Sequence, residues 1–204
     1  FTTDIKFNGK EKKDLNLLNK FSNLDNLTNL EGSFNNSFFV IFDKTYKVKD
    51  YSITNNGKIS NLSFYNKEFI NNEFLSEKIN LVSVSKAEVK SEFTPKQTKI
   101  NIDGSYSTNK GIFLDFNLEN IKINKNTKVI LSADFDKFLK LEAINFENPK
   151  NTIGKINLEF EKFNENLLVN KLSFIQGDNE IFFKDLKLKN NKFLSLKKAK
   201  FKTK

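Results

Sequence analysis

The sequence predicts a mainly β protein, an elongated and twisted antiparallel meander, and three observations predict it. From Gly32 onward apolar and polar residues alternate in run after run. Clusters of Asn, Asp and Gly separate the runs. All seven glycines fall in or beside those clusters. Side chains on a strand point to opposite faces in turn, so a period of two gives one apolar face and one wet face. Gly and Asn supply the left-handed backbone that tight turns need.

The clearest stretch is Gln97 to Asp136. Ile100 and Ile102 alternate with Asn101 and Asp103, and Gly104 to Gly111 reads as a turn-rich connection. Ile112, Leu114, Phe116 and Leu118 alternate with Phe113, Asp115, Asn117 and Glu119. Asn124 to Thr127 reads as a turn, and Val129, Leu131, Ala133 and Phe135 follow at the same spacing. One hidden face on an antiparallel meander is the direct reading.

In chain order, Asp4 to Phe7 reads as a short strand. Leu15, Leu18, Phe21, Leu24, Leu27 and Leu30 recur every three residues. That spacing predicts one short N-terminal helix over about 11–21 and a helical or hinge portion over 11–30. Phe38, Val40 and Phe42 oppose Phe39 and Ile41, as in a strand buried on both faces. Tyr46–Ile53 and Lys58–Phe64 flank Asn55-Asn56-Gly57, a hairpin signal. Asn66–Ser76 reads as a loop, and Glu77–Val84 and Lys86–Phe93 as two strands ahead of a turn at Pro95. Beyond Asp136, strands are expected at Phe138–Phe146, Ile153–Phe163, Leu167–Ile175, Glu180–Leu188 and Phe193–Thr203. Ile156, Leu158 and Phe160 alternate in the second of these. Leu118–Lys128 resembles Phe183–Lys192 as a weak internal repeat.

Composition narrows the chemistry. Cys and His are both absent, which removes disulfides, thiolate ligands and the commonest general base. No two glycines stand close enough for a phosphate-binding loop. Ser-x-x-Lys occurs at Ser83, Ser107 and Ser195 without the companion motifs of a serine nucleophile. Asp134 and Asp136 share a strand face but lack a third ligand. Neither catalytic residue, metal nor cofactor is therefore expected. The net charge is +9, and Lys184–Lys204 carries nine Lys against Asp185, so +8 of it sits at the C-terminal end. That end is a solvated basic face or a contact for nucleic acid or an anionic surface. No apolar run is long enough to cross a membrane as a helix. The chain begins inside a structured run and ends on LKKAKFKTK, so a segment of a longer protein is expected.

About a dozen strands and one helix leave an apolar face that a single short helix cannot cover. Either the sheet closes as a β-sandwich, or it curls into an open groove whose apolar inside takes a ligand, or it packs on a neighbouring domain. Strand phase alone selects Ile100, Ile102, Ile112, Leu114, Phe116, Val129, Leu131, Ile156, Leu158 and Phe160 as groove lining.

The leucine-spaced segment running into Asn29-Leu-Glu-Gly-Ser-Phe34, the strand Val40-Ile-Phe-Asp-Lys-Thr-Tyr-Lys-Val-Lys-Asp50 and Gly57-Lys-Ile-Ser-Asn-Leu-Ser-Phe64 carry a resemblance, joined by Gly154-Lys-Ile-Asn-Leu-Glu-Phe160 and Phe183-Lys-Asp-Leu-Lys-Leu188. From about residue 11 onward the chain resembles the AsmA-like family of bacterial envelope proteins, which includes TamB and YhdP. The resemblance implies a periplasmic, non-enzymatic section of a long β-groove, anchored to the inner membrane by a segment outside this chain. It implies carriage of phospholipid or another acyl lipid toward the outer membrane, with neighbouring groove segments and envelope membrane proteins as partners and no nucleic acid. A structural or adhesive β-domain with a closed core, and an anionic-surface or nucleic-acid binder using the basic end, are the alternatives.

Overall fold

The computed structural model describes residues 2–8, 27–70, 78–137, 139–141, 146–147 and 152–203. The protein is mainly β, built as a large antiparallel sheet that is not closed, with no helix among the described residues. The expected helix over 11–21 lies outside the described residues. The chain divides into two compact units.

The first unit carries β1 (Thr2–Asn8), β2 (Leu27–Phe42), β3 (Val48–Ile70), β4 (Ile79–Phe93) and β5 (Gln97–Thr108), each paired with the next. Residues Leu27 to Leu30, read from sequence as helix or hinge, belong to β2. Their three-residue spacing arises from an irregularity between Leu27 and Asn29, which puts Leu27 opposite Phe64 and Leu30 opposite Leu62.

The hairpin expected at Asn55-Asn56-Gly57 is absent, and β3 runs straight through it. Asn55, Asn56 and Gly57 face Asn36, Asn35 and Phe34 in unbroken register. Gly57 does not turn the chain: a Cβ there would fall on the Phe34 ring, so the glycine makes room for an aromatic lying across it. The strand also continues through Asn66–Ile70, so the loop expected from Asn66 begins no earlier than residue 71.

β4 is one strand where the sequence suggested two. Its register against β5 slips between Ser85 and Glu88, and Lys86 takes a left-handed φ of 52°. The bulge changes the phase of the strand, so Val82 and Val84 share a face with Ala87 and Val89. A turn was not needed to explain the break in alternation. Similarly, Gly104–Thr108 is strand, and the chain turns only at Asn109-Lys110, both left-handed. Asn109 Oδ1 accepts the backbone N–H groups of Asn80 (3.0 Å) and Leu81 (3.3 Å), tying this turn to the start of β4.

The β2–β3 turn is ordered by Asp43. Its Oδ1 accepts Thr45 N–H at 2.7 Å, the Thr45 hydroxyl at 2.7 Å and Lys47 N–H at 3.0 Å. The Thr45 hydroxyl first, then these two backbone donors, hold the Asp43 carboxyl below its ordinary pKa of 3.8. A folded-state pKa below the unfolded one stabilises the turn above the unfolded value and loses that contribution as pH falls through the folded one. The amide resonances of Thr45 and Lys47 are thus expected to shift with a midpoint below the ordinary 3.8 of Asp. In Asp43→Ala they are expected to lack the transition.

The second unit carries β6 (Leu114–Ile123), β7 (Asn126–Phe135), β10 (Gly154–Phe163), β11 (Asn166–Gln176), β12 (Asn179–Lys189) and β13 (Lys192–Lys202) in that spatial order. β8 (Lys140–Leu141) and β9 (Phe146–Glu147) pair separately with each other. The long strand expected over Phe138–Phe146 is thus not formed, and 142–145 lie outside the described residues. Hairpins 6–7, 10–11, 11–12 and 12–13 all close with two-residue turns, at Asn124-Lys125, Asn164-Glu165, Gly177-Asp178 and Asn190-Asn191. Each turn has a left-handed residue at its first position. Leu118–Lys128 and Phe183–Lys192, read from sequence as a weak repeat, each run a strand into such a turn, as the other hairpins of the unit do.

Candidate functional site: the apolar face of the second unit

Register converts the sequence pattern into rows, because directly opposed residues of antiparallel strands share a face. Across β6, β7, β10, β11, β12 and β13 one row runs Phe116, Ala133, Ile156, Phe174, Ile181, Phe201. The next runs Leu118, Leu131, Leu158, Leu172, Phe183, Ala199. The third runs Asn120, Val129, Phe160, Val169, Leu186, Leu196, with Asn120 its one polar member.

These rows collect six of the residues that strand phase selected: Phe116, Val129, Leu131, Ile156, Leu158 and Phe160. All six are half-buried. Leu114 begins β6 and is buried. Ile100 and Ile102 belong to β5 in the other unit, beside Ser91 and Val89. Ile112 precedes β6, lies in no strand and is 57% exposed, so it joins none of the rows. Its alternation with Leu114 extended the strand one step too far, past a turn that ends at Gly111.

One end of the face is covered. Phe146 of β9, Phe174 and Ile181 form a buried cluster, with Phe135, Leu139, Leu141, Ile156 and Phe183 packed on it. Phe174 meets Phe135 and Phe146 edge to face, at centroid distances of 5.9 and 6.1 Å. Its ring lies over Gly154, where a Cβ would come within 2.6 Å of it. Leu139, Leu141 and Phe146, from between β7 and β10, therefore cap the first row at Ile156, Phe174 and Ile181. Leu118, Leu131, Leu158 and Leu172, in the second row, are absent from that cluster and remain half-buried.

Strand phase missed the contribution of β11, β12 and β13, which supply half of each row. The rows slip by three residues rather than two on each strand: Leu172 to Val169, Phe183 to Leu186, Ala199 to Leu196. Asp185 marks the slip with a φ of 53°. A strict period of two cannot follow such a line of bulges.

The opposite face is mostly polar, with Ile130, Ile175 and Phe182 among its members. Ser132 donates to Asn157 at 3.1 Å, and Asn157 to Ser173 at 3.4 Å. Lys128 meets Glu159 at 2.8 Å, which lowers the Glu159 pKa and raises that of Lys128, in both cases first through this hydrogen bond. Lys171, Lys184 and Lys198 stand directly opposite one another on three adjacent strands, all exposed. Like charges in register repel. Lys184→Glu would set a carboxylate between two ammonium groups, and about 0.5 kcal/mol of added stability is expected, shrinking at high salt. Thermal melts at low and high ionic strength read both effects.

Two clefts are lined by residues outside the three rows. One, of about 260 Å³, is lined by Phe163, Leu167, Leu188 and Leu194 at the turn end of β10–β13. The other, of about 410 Å³, is polar and lined by Asn55, Lys90, Glu92 and Lys99 in the first unit. Neither contains a residue that strand phase selected. Among the described residues, no cluster of Asp and Glu could hold a metal ion.

Comparison with protein-family models, with curated proteins and with solved structures found no match to this chain.

Proposed function

We propose that the apolar face of the second unit holds the acyl chains of phospholipid, as a non-enzymatic section of an AsmA-like envelope protein. In this reading the sheet curls into an open groove in the periplasm, and a segment outside this chain anchors it to the inner membrane. The observation that carries the proposal is the set of three cross-strand apolar rows, of which the described residues of this unit cover one end, at Phe174 and Ile181. A sheet face of Leu, Phe, Val and Ile left half-exposed is costly in water. Acyl chains relieve that cost, at about 0.8 kcal/mol per buried methylene. The rows carry no charged side chain, so they offer chains no fixed point and suit movement along the face. The exposed Lys171, Lys184 and Lys198 of the other face suit contact with water.

A photo-reactive residue at Leu131 or Leu158 is expected to crosslink phospholipid during expression in a bacterial host. The same group at Lys171, on the polar face, is expected to give none. Equal labelling from both faces would overturn the assignment.

A further inference from the structure

The end of the β2–β3 hairpin stands out in the first unit. Phe38, Val40 and Phe42 lie on one face and Phe39 and Ile41 on the other, yet all five are 40–62% exposed. Tyr46 is 89% exposed and Val48 57%. Sequence pattern alone read this run as buried on both faces. The structure leaves the side chains of both faces exposed, and among the described residues β3 pairs along it.

We propose that this hairpin end inserts into the interfacial layer of a lipid bilayer. Four features select a bilayer over a protein partner. A docked protein covers one face of a two-stranded ribbon, whereas the boundary between headgroups and acyl chains surrounds it on all sides. The turn carries its own hydrogen bonds: Asp43 N–H donates to Lys47 O at 2.8 Å, Tyr46 N–H to Asp43 O at 3.1 Å, and the Asp43 carboxylate takes the amides of Thr45 and Lys47. A tip that enters a medium poor in water must satisfy its polar backbone in this way. Tyr46, held at a left-handed φ of 60°, is thrust outward at the apex, and aromatic rings of this kind settle at headgroup depth. Finally, Lys44, Lys47 and Lys49 flank the apolar residues, and their side chains form no ion pair among the described residues. Their ammonium groups complement anionic headgroups while their stems lie along the apolar surface.

Depth is limited by the same residues. Asp50, a charged group, stands opposite Ile41. The tip therefore enters about 5–10 Å, the depth of an interfacial element, and does not span. This inference is separate from lipid carriage by the second unit, and either can fail alone.

The chain has no Trp, so a single substitution supplies a clean fluorescent reporter. Tyr46→Trp, in the full chain, is expected to blue-shift when vesicles of phosphatidylcholine and phosphatidylglycerol are added. Phe193→Trp, also exposed but in the other unit, is expected to keep its emission. In vesicle flotation, Phe39→Ser with Phe42→Ser is expected to weaken binding by about tenfold or more. Both side chains are exposed, so the variant keeps its fold. An unshifted Tyr46→Trp emission, or equal flotation of variant and parent, would overturn the proposal. So would self-association of the parent without vesicle binding, lost in the serine variant, which would assign the tip to a second copy.

Discussion

Phe174→Ala is expected to cost the second unit about 3–5 kcal/mol, enough to unfold much of it at ambient temperature. Phe174 is 5% exposed and joins the sheet to the segment that covers its end. Losing the ring removes two edge-to-face contacts, with Phe135 and Phe146, and uncovers Gly154. Few other side chains are fully buried, so little remains to close the gap. Denaturant titration of the parent and variant reads the loss directly. The geometry adds a coupled expectation. Gly154→Ala alone should destabilise, because its Cβ meets the Phe174 ring at 2.6 Å. In the Phe174→Ala background that obstacle is gone, and the cost of Gly154→Ala should fall to that of the remaining 3.1 Å approach to Ile175 O. Additive costs in the double variant would contradict the packing described.

Gly104→Val is expected to be as damaging to the first unit. A Cβ at Gly104 would lie 2.7 Å from Ala87 Cβ and 2.8 Å from Ala87 Cα. The second of these is backbone and cannot swing aside. Ala87 is pushed there by the bulge at Lys86 and is itself 1% exposed. Relief therefore requires β4 and β5 to separate or the bulge to move, at a cost of about 3 kcal/mol or more. Ala87→Gly in the same chain should recover part of it. Hydrogen exchange at Val89 and Ile102, paired across the two strands just past the bulge, reads whether the register opens.

These two glycines also mark what the sequence could and could not disclose. Gly177 turns the chain with a φ of 57°, as a glycine between two strands is expected to. Gly57, Gly104 and Gly154 sit in strands and leave space for Phe34, Ala87 and Phe174. The residue that needs the space is 17–23 positions away, so no local pattern signals it. Strand periodicity located the hairpins of the second unit because their two-residue turns use Asn and Gly at left-handed positions. It failed wherever a bulge changed the phase, as at Lys86 and Asp185. The candidate face was legible on β6, β7 and β10, whose alternation is unbroken between opposed residues, and not on the three strands beyond. Phe38–Phe42 shows a further limit. Alternation tells which residues share a face, but whether anything covers that face is decided by chain far away in sequence.

The central claim is that the apolar rows of the second unit hold acyl chains. Mass spectrometry of lipid extracted from this chain, purified under mild conditions from a bacterial host, tests it most directly. The account predicts phospholipid in near-stoichiometric amount, lost when Leu131 and Leu158 are both changed to Asp and the protein remains folded. A folded, lipid-free parent would contradict it, and the open face would then belong to a structural or adhesive role.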